Sequence, residues 1–431
     1  MRLLIIGGGP GGYETAVEAA KRGLEVTLIS EGPLGGTCLN EGCIPTKTFC
    51  HYAELIEQNL KAGLDCKPSF AAAAERKQAV VEQLRSGIDI LLKNVQVVRG
   101  RAEFKDSKTV ICNGQEYSAD KIIIATGSVS ASLPILGAES CLTSKEILDL
   151  TEVPESLCVI GGGVIGLEFA SIFRSFGSEV TVLEFCPGIL PRFDVDLAKR
   201  LKQSLSRRGI NIEVQAQVTR IDGNTVTYIK KEKEFTVQAD KVLMAVGRRP
   251  NTEGLNLEAV GVDYTRKGIT VNERFETSVP GIYAIGDVTG GIMLAHAATY
   301  QGLHALNGIC GLDDSIRFDL IPAAVFTMPE VATVGMTEEQ CKEQNLDVRC
   351  LKSFYRANGK AVSMDETDGY CKLIVSESGA MLGAHLMGAH ASDLIHEIAA
   401  VMNINGTLEQ LKYVIHAHPT LSEVLQAAIH N

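Results

Sequence analysis

The 431-residue sequence predicts an α/β protein in which two dinucleotide-binding units are followed by a separate α+β domain. Three observations predict it. A strand, glycine turn, helix, strand pattern occurs twice in one register, two apolar return strands repeat the same letters, and from about residue 320 the pattern becomes β-rich and then helical.

The first unit is RLLIIGGGPGGYETAVEAAKRGLEVTLIS, residues 2–30. Gly7, Gly9 and Gly12 form G-x-G-x-x-G behind an apolar strand, and Gly23 closes the helix they open. Residues 157–184 repeat the pattern with Gly161, Gly163, Gly166 and the closing Gly177, each 154 residues after its counterpart. One such motif is weak evidence, because a tight strand-to-helix turn produces it too. Two copies in register, each inside a complete βαβ pattern, predict two Rossmann-like domains and two dinucleotides. The first glycine turns the chain, the second admits a pyrophosphate and the third lets helix and strand pack.

The acid that ends the second strand of such a unit bonds a ribose hydroxyl and repels a 2′-phosphate. Glu184 fills that position in the second copy with no arginine directly after it, which favours NAD over NADP. In the first copy Ser30 holds the register position and Glu31 follows. Either the strand end shifts to let Glu31 reach the ribose, or Ser30 makes a weaker contact.

ADKIIIATG (119–127) and ADKVLMAVG (239–247) read as return strands that bring Thr126, Gly127 and Gly247 to the nucleotide sheets. Helical stretches are expected near 46–60 and 75–93. The strand and turn GIYAIGDVTGG, 281–291, carries Asp287 and precedes a helix from about Leu294. AVFTMPEVATVG and a hairpin over GYCKLIVSESGAMLGAHLMG lead to helices near 390–403 and 420–430. The resulting domains are 1–141 continued by 269–318, 142–268, and 319–431.

A formal charge of −11 argues against a nucleic-acid surface, and no apolar run approaches a membrane span. Twelve cysteines are scattered along the chain and Met1 leads straight into an apolar strand, so a cytoplasmic protein without a leader is expected. Solitary cysteines such as Cys112, Cys310 and Cys371 read as small buried hydrophobes. Cys38 and Cys43 are different, lying close together in GGTCLNEGCIPTK, residues 35–47. A zinc site needs a second ligand pair that the sequence lacks, so no metal is expected. A cysteine just before a helix feels the helix dipole, which favours thiolate, and Cys43 is better placed for that than Cys38. Two unreactive loop cysteines are the plainer alternative.

The segment HAHPTLSEVLQ, 416–426, also has two readings. Thr420 and Glu423 match a capping box that opens the last helix, or Glu423 holds the imidazole of His418 as a general base. The two compete for one carboxylate.

Taken together, GGGPGG, GGTCLNEGCIPTK, ATGS, GGGVIGLE, MAVGRRPN, AIGD and HAHPTLSE resemble the pyridine nucleotide-disulfide oxidoreductases over almost the whole chain, most closely the branch that oxidises dihydrolipoamide. The resemblance implies FAD in the first unit, NAD in the second and a C-terminal dimerisation domain. It implies that Cys38 exchanges with substrate and Cys43 passes electrons to the flavin, and that Lys47 pairs with Glu168 beside the flavin. Asp287 would bond the FAD ribityl or phosphate region. By themselves Lys47 reads as a surface lysine, Glu168 as a dipole-favoured glutamate and Asp287 as a turn residue. His418 and Glu423 would act across a subunit boundary, so a homodimer is implied. His418 would take a proton from dihydrolipoamide, whose thiolate attacks Cys38 and frees Cys43, and a hydride would pass to NAD. The implied partner is dihydrolipoamide or a lipoyl domain of a 2-oxoacid dehydrogenase or glycine-cleavage complex.

Glu41, between the cysteines, departs from expectation and would oppose thiolate formation if close. The chain reads as short for the family, and no N-terminal lipoyl-type domain is expected. Rival readings are another disulfide reductase of the same fold and a catalytically silent flavin- and NAD-binding scaffold. Glutathione-type reductases would place phosphate-binding arginines where this chain has Glu184-Phe185-Cys186, and mercuric or large thioredoxin reductases would end in a thiol pair where it has AAIHN.

Overall fold

Apolar runs such as Leu3–Ile6 and Ile122–Ile124 are buried on both faces, as strands of a covered parallel sheet must be. The computed structural model describes residues 1–64 and 68–431. These fall into two units: 1–48, 74–131 and 247–316 form the first, and 49–73, 132–246 and 317–431 form the second.

In the first unit a five-stranded parallel sheet runs in the order Ile282–Ala284, Lys121–Ile124, Arg2–Ile6, Glu25–Ser30, Gln96–Arg99. Helices Pro10–Lys21 and Ala295–Ile309 pack on one another, and Ala16, Ala19, Ala305 and Leu306 bury with Leu3, Ile5 and Leu28. Small alanine faces allow that close approach. A small antiparallel sheet, Ala102–Asp106, Thr109–Cys112 and Gln115–Ser118, covers the other face with Phe104 and Val110.

The second unit repeats the design. Its parallel sheet runs Ile210–Val214, Glu179–Glu184, Ser156–Ile160, Lys241–Met244, with an antiparallel sheet of Gln217–Asp222, Thr225–Lys230 and Lys233–Gln238. The repeat extends to single hydrogen bonds. Gly7 N–H donates to Ile29 O at 2.8 Å and Gly161 N–H to Leu183 O at 2.9 Å. Ala125 N–H donates to Ile6 O at 2.7 Å and Ala245 N–H to Ile160 O at 2.8 Å. Each apolar return strand therefore lies beside the strand that feeds its glycine turn.

From Ala323 the second unit continues as an antiparallel sheet in the order Ala323–Val325, Val331–Gly335, Met381–Met387, Tyr370–Ser376, Val348–Phe354. Helices Ala391–Asn403 and Glu423–Ile429 bury Ile395, Ile398, Val424 and Leu425 on it. Gly379, at φ 86°, makes the turn of the expected hairpin.

The helix expected near 46–60 runs Cys43–Lys61 and the one near 75–93 runs Phe70–Leu91. The earlier start at Cys43 absorbs Pro45 into the first turn, where no intrahelical N–H bond is lost. Among the described residues no helix is long and apolar enough to cross a membrane.

Candidate functional site

The glycine turns show how each nucleotide unit can accept its ligand. A Cβ at Gly12 would lie 1.9 Å from Gly7 O, and one at Gly166 would lie 2.1 Å from Gly161 O, so helix and strand meet there with no room for a side chain. The middle glycines differ. A Cβ at Gly9 meets nothing nearer than 4.0 Å and one at Gly163 meets nothing within 4 Å. The open side of each turn thus faces space at a helix N-terminus, as a pyrophosphate requires.

At the ends of the second strands the units diverge. Glu184 is buried, and its carboxylate accepts the N–H groups of Gly162 at 2.5 Å and Cys186 at 2.6 Å. That fixes an anionic group beside the second turn and disfavours a 2′-phosphate. In the first unit Ser30 completes the strand, is buried and donates to Gly32 O at 2.9 Å, while Glu31 lies exposed just beyond it.

The redox motif is tied to the first glycine turn. Gly35 N–H donates to Gly8 O at 2.8 Å, and a Cβ at Gly36 would lie 2.6 Å from the Gly9 Cα, so only glycine permits this approach. Helix Gly36–Glu41 then carries Cys38, and helix Cys43–Lys61 opens with Cys43 and places Lys47 one turn on. The two thiols are hydrogen-bonded to each other. That bond, burial and the charge of Cys43 push the Cys38 thiol far above its ordinary range, against the opposing charge of Lys47. Of the pair, Cys38 is the more buried sulfur and Cys43 is exposed.

Three motifs meet beside it. Thr126 Oγ1 donates to Asn251 O at 2.7 Å, and Asn251 N–H donates to Gly127 O at 2.9 Å. Gly247 O accepts from Ala131 N–H at 2.9 Å, which carries the chain into Arg248. Asp287 accepts from Ser128 Oγ at 2.5 Å, and Arg248 donates to the same Oγ at 2.7 Å and to Ser128 O at 2.7 Å. Sequence reasoning did not single out Ser128 or Arg248. Burial pulls the Arg248 guanidinium below its usual value, while Asp287, Glu41 and Cys43 hold it up, so Glu41 has a cation in reach.

In the second unit the buried carboxylate of Glu168 accepts Phe326 N–H at 2.9 Å, and the Cys50 thiol donates to Phe326 O at 3.3 Å. Glu168 is thereby fixed in orientation.

The closing motif satisfies both readings of Glu423. Its Oε1 lies 2.9 Å from His418 Nδ1 and its Oε2 accepts Thr420 N–H at 2.8 Å, so one carboxylate serves both. The Thr420 backbone bond first, and His418 second, hold Glu423 below the usual carboxylate range. The capping box is half formed. The Thr420 hydroxyl donates to Ala417 O at 2.8 Å, and the helix starts at Glu423 behind Ser422. The His418 side chain is 78% exposed, open to a substrate or a second chain.

Among the described residues every cysteine is a free thiol, and no cluster of three or more His, Cys, Asp or Glu side chains suited to a metal occurs. Cys112 and Cys371 are buried as expected, and Cys310 is partly so.

Comparison with known proteins agrees with this geometry. Residues 1–302 match the family model for pyridine nucleotide-disulphide oxidoreductases, and residues 321–429 match the model for their dimerisation domain. The chain is 40% identical over 449 residues to a dihydrolipoyl dehydrogenase of Bacillus subtilis, covering 100% of this chain and 98% of the relative. Among solved structures it resembles LpdA of Mycobacterium tuberculosis, with TM-score 0.91, 30% identity and coverage of 100% and 99%. It also resembles the HOCl-induced flavoprotein disulfide reductase RclA of Escherichia coli, with TM-score 0.90, 34% identity and coverage of 100% and 99%.

Proposed function

The chain belongs to the pyridine nucleotide-disulphide oxidoreductases, and we propose that it catalyses the dihydrolipoyl dehydrogenase reaction, oxidising dihydrolipoamide to lipoamide with FAD in the first nucleotide unit and NAD in the second. The observation that carries this reading is the Cys38–Cys43 pair, two hydrogen-bonded sulfurs at a helix opening beside the first glycine turn. It functions as a homodimer in the cytoplasm, and its substrate is free dihydrolipoamide or a lipoyl domain of a 2-oxoacid dehydrogenase or glycine-cleavage complex.

Each step follows from the residues. Glu423 holds His418 through Nδ1, which leaves Nε2 to take a proton from a substrate thiol. The resulting thiolate attacks Cys38 Sγ of the oxidised pair, the Cys38–Cys43 bond breaks, and Cys43 leaves as thiolate. Cys43 is the better leaving group because it opens the helix Cys43–Lys61, whose dipole favours the anion. The second substrate thiol attacks the substrate sulfur bound to Cys38, the bond from that sulfur to Cys38 breaks, and the proton of the attacking thiol passes to Cys38 as it leaves. Lipoamide departs, and Cys38 is left protonated and hydrogen-bonded to the Cys43 thiolate. FAD, when bound, relays the two electrons from Cys43 to NAD. Lys47 contributes positive charge beside Cys38, and Glu168 is held rigid by Phe326. Gly7, Gly9 and Gly12 with Thr126, Gly127, Asp287 and Glu31 form the FAD cradle. Gly161, Gly163, Gly166 and Glu184 with Gly247, at the end of the second return strand, form the NAD cradle.

The test is anaerobic addition of dihydrolipoamide to the holoenzyme. The reading expects a long-wavelength thiolate-to-flavin band that NAD then removes with formation of NADH. An unchanged spectrum in a flavin-loaded protein refutes it. Reduction by NADPH and glutathione disulfide turnover would identify a different reductase instead.

A further inference from the structure

We propose that His416, which touches no reacting atom, is a positioning residue that fixes the loop presenting His418. This rests on the general-base reading of His418 above. Leu411 and Leu421 are both buried, and between them Lys412, Tyr413, Val414, Ile415, Ala417, His418 and Pro419 are all exposed. His416 is the side chain that turns inward, only 4% exposed, with Nε2 2.8 Å from Glu397 Oε1. Glu397 belongs to the helix Ala391–Asn403, which is packed on the C-terminal sheet through Ile395 and Ile398.

A segment with exposed flanks has little apolar burial to hold it; Thr420, bonded to Ala417, Glu423 and Asn358, fixes its far end, and the buried His416–Glu397 contact ties its middle to the helix. Because a carboxylate only accepts, Nε2 is the donor to Glu397 and Nδ1 is the bare nitrogen; Nδ1 is buried with no hydrogen-bond partner. The ring therefore has one bonded edge, and losing that bond frees the ring. His418 lies two residues on and is held in turn by Glu423. Two histidine–carboxylate pairs thus stand in series. Glu397–His416 anchors the loop to the helix, and Glu423–His418 aims the base.

Displacement of a reacting group by about 1 Å costs on the order of a hundredfold in rate. His416→Ala is accordingly expected to lower kcat for dihydrolipoamide oxidation about 10- to 100-fold. FAD content and NADH-to-ferricyanide electron transfer, which does not use His418, should be retained. His416→Gln, whose amide can still donate to Glu397, should restore most of the loss. Full dithiol activity in His416→Ala overturns the proposal. So does equal loss of dithiol and ferricyanide activity without rescue by glutamine, which would mark a merely structural role. The modification rate of His418 by diethyl pyrocarbonate, read by peptide mass spectrometry, needs no substrate. It should change severalfold in His416→Ala, and an unchanged rate overturns the proposal even if dihydrolipoamide is the wrong dithiol.

Discussion

Replacing Lys372 by methionine should destabilise the second unit by about 3 kcal/mol, a loss that fades in acid. Lys372 has no exposed side-chain surface, and its ammonium lies 2.7 Å from Asp194 Oδ2 and 2.6 Å from Glu338 Oε2. Asp194 is equally buried and also caps helix Val195–Arg207 by accepting Leu197 N–H at 3.1 Å. Methionine keeps the length of the side chain and removes the charge that makes two neighbouring carboxylates tolerable. Taking one partner from a buried ion pair costs about 3–5 kcal/mol. A second route gives a smaller part of that figure. Hydrogen bonds from Lys342 first and Lys372 second hold Glu338 down at about 2 instead of 4.5. That displacement is worth about 3 kcal/mol at most, and about half once solvent screening of this partly open side chain is included. A carboxyl held low in the folded state adds stability that is present above its unfolded value and lost as pH falls toward 2. In Lys372→Met the orphaned carboxylates take up protons in acid, so the gap between wild type and variant is full at neutral pH and narrows below about pH 4.5. The chain contains no tryptophan, so urea unfolding is best followed by far-ultraviolet circular dichroism. A midpoint loss that is the same at neutral pH and near pH 4, or one below about 1 kcal/mol, would refute the reasoning.

Three further outcomes test the site. Cys43→Ser should keep FAD but abolish dithiol oxidation, and unchanged steady-state turnover would refute the role given to Cys43. Gly163→Val should weaken NAD binding at least about tenfold, by filling the open side of the second turn, without changing flavin content; isothermal titration with NAD reads this directly. Glu423→Gln keeps an acceptor for Thr420 N–H but removes the charge facing His418, so kcat with dihydrolipoamide should fall about 10- to 100-fold. Since the Thr420 backbone bond first and His418 second hold Glu423 below the usual carboxylate range, its protonation should not limit kcat/KM inside that range, and an acid limb there that Glu423→Gln abolishes would refute the reasoning.

What the sequence made legible was what only one residue type can do. Gly12 and Gly166 are readable because any side chain there would strike the carbonyl of the first glycine. The return strands are readable because both faces of a parallel strand are apolar. Partners distant in sequence were not readable. Nothing local marks Ser128 and Arg248 as holding Asp287, and nothing about a histidine in a loop reveals that His416 is turned inward while His418 is turned out. The terminal helix was placed to within a turn, and of its capping box only the Glu423 half forms, because the Thr420 hydroxyl found Ala417 O instead of the helix.

The competition for Glu423 also separates what one chain settles by itself from what it leaves open to solvent. Because one oxygen is bound to Thr420 N–H, the carboxylate is oriented before any substrate arrives, and only the other oxygen addresses His418. Orientation is thus settled within one chain, whereas shielding from water is not. His418 is 78% exposed, and earlier in the same segment Tyr413 and Ile415 are 77% and 95% exposed, large apolar side chains left to water in a single chain. They lie in the segment that matches the dimerisation domain. A second copy seated on this segment would cover the apolar side chains and His418 together, so a substitution that weakens the dimer here should lower dithiol turnover with it.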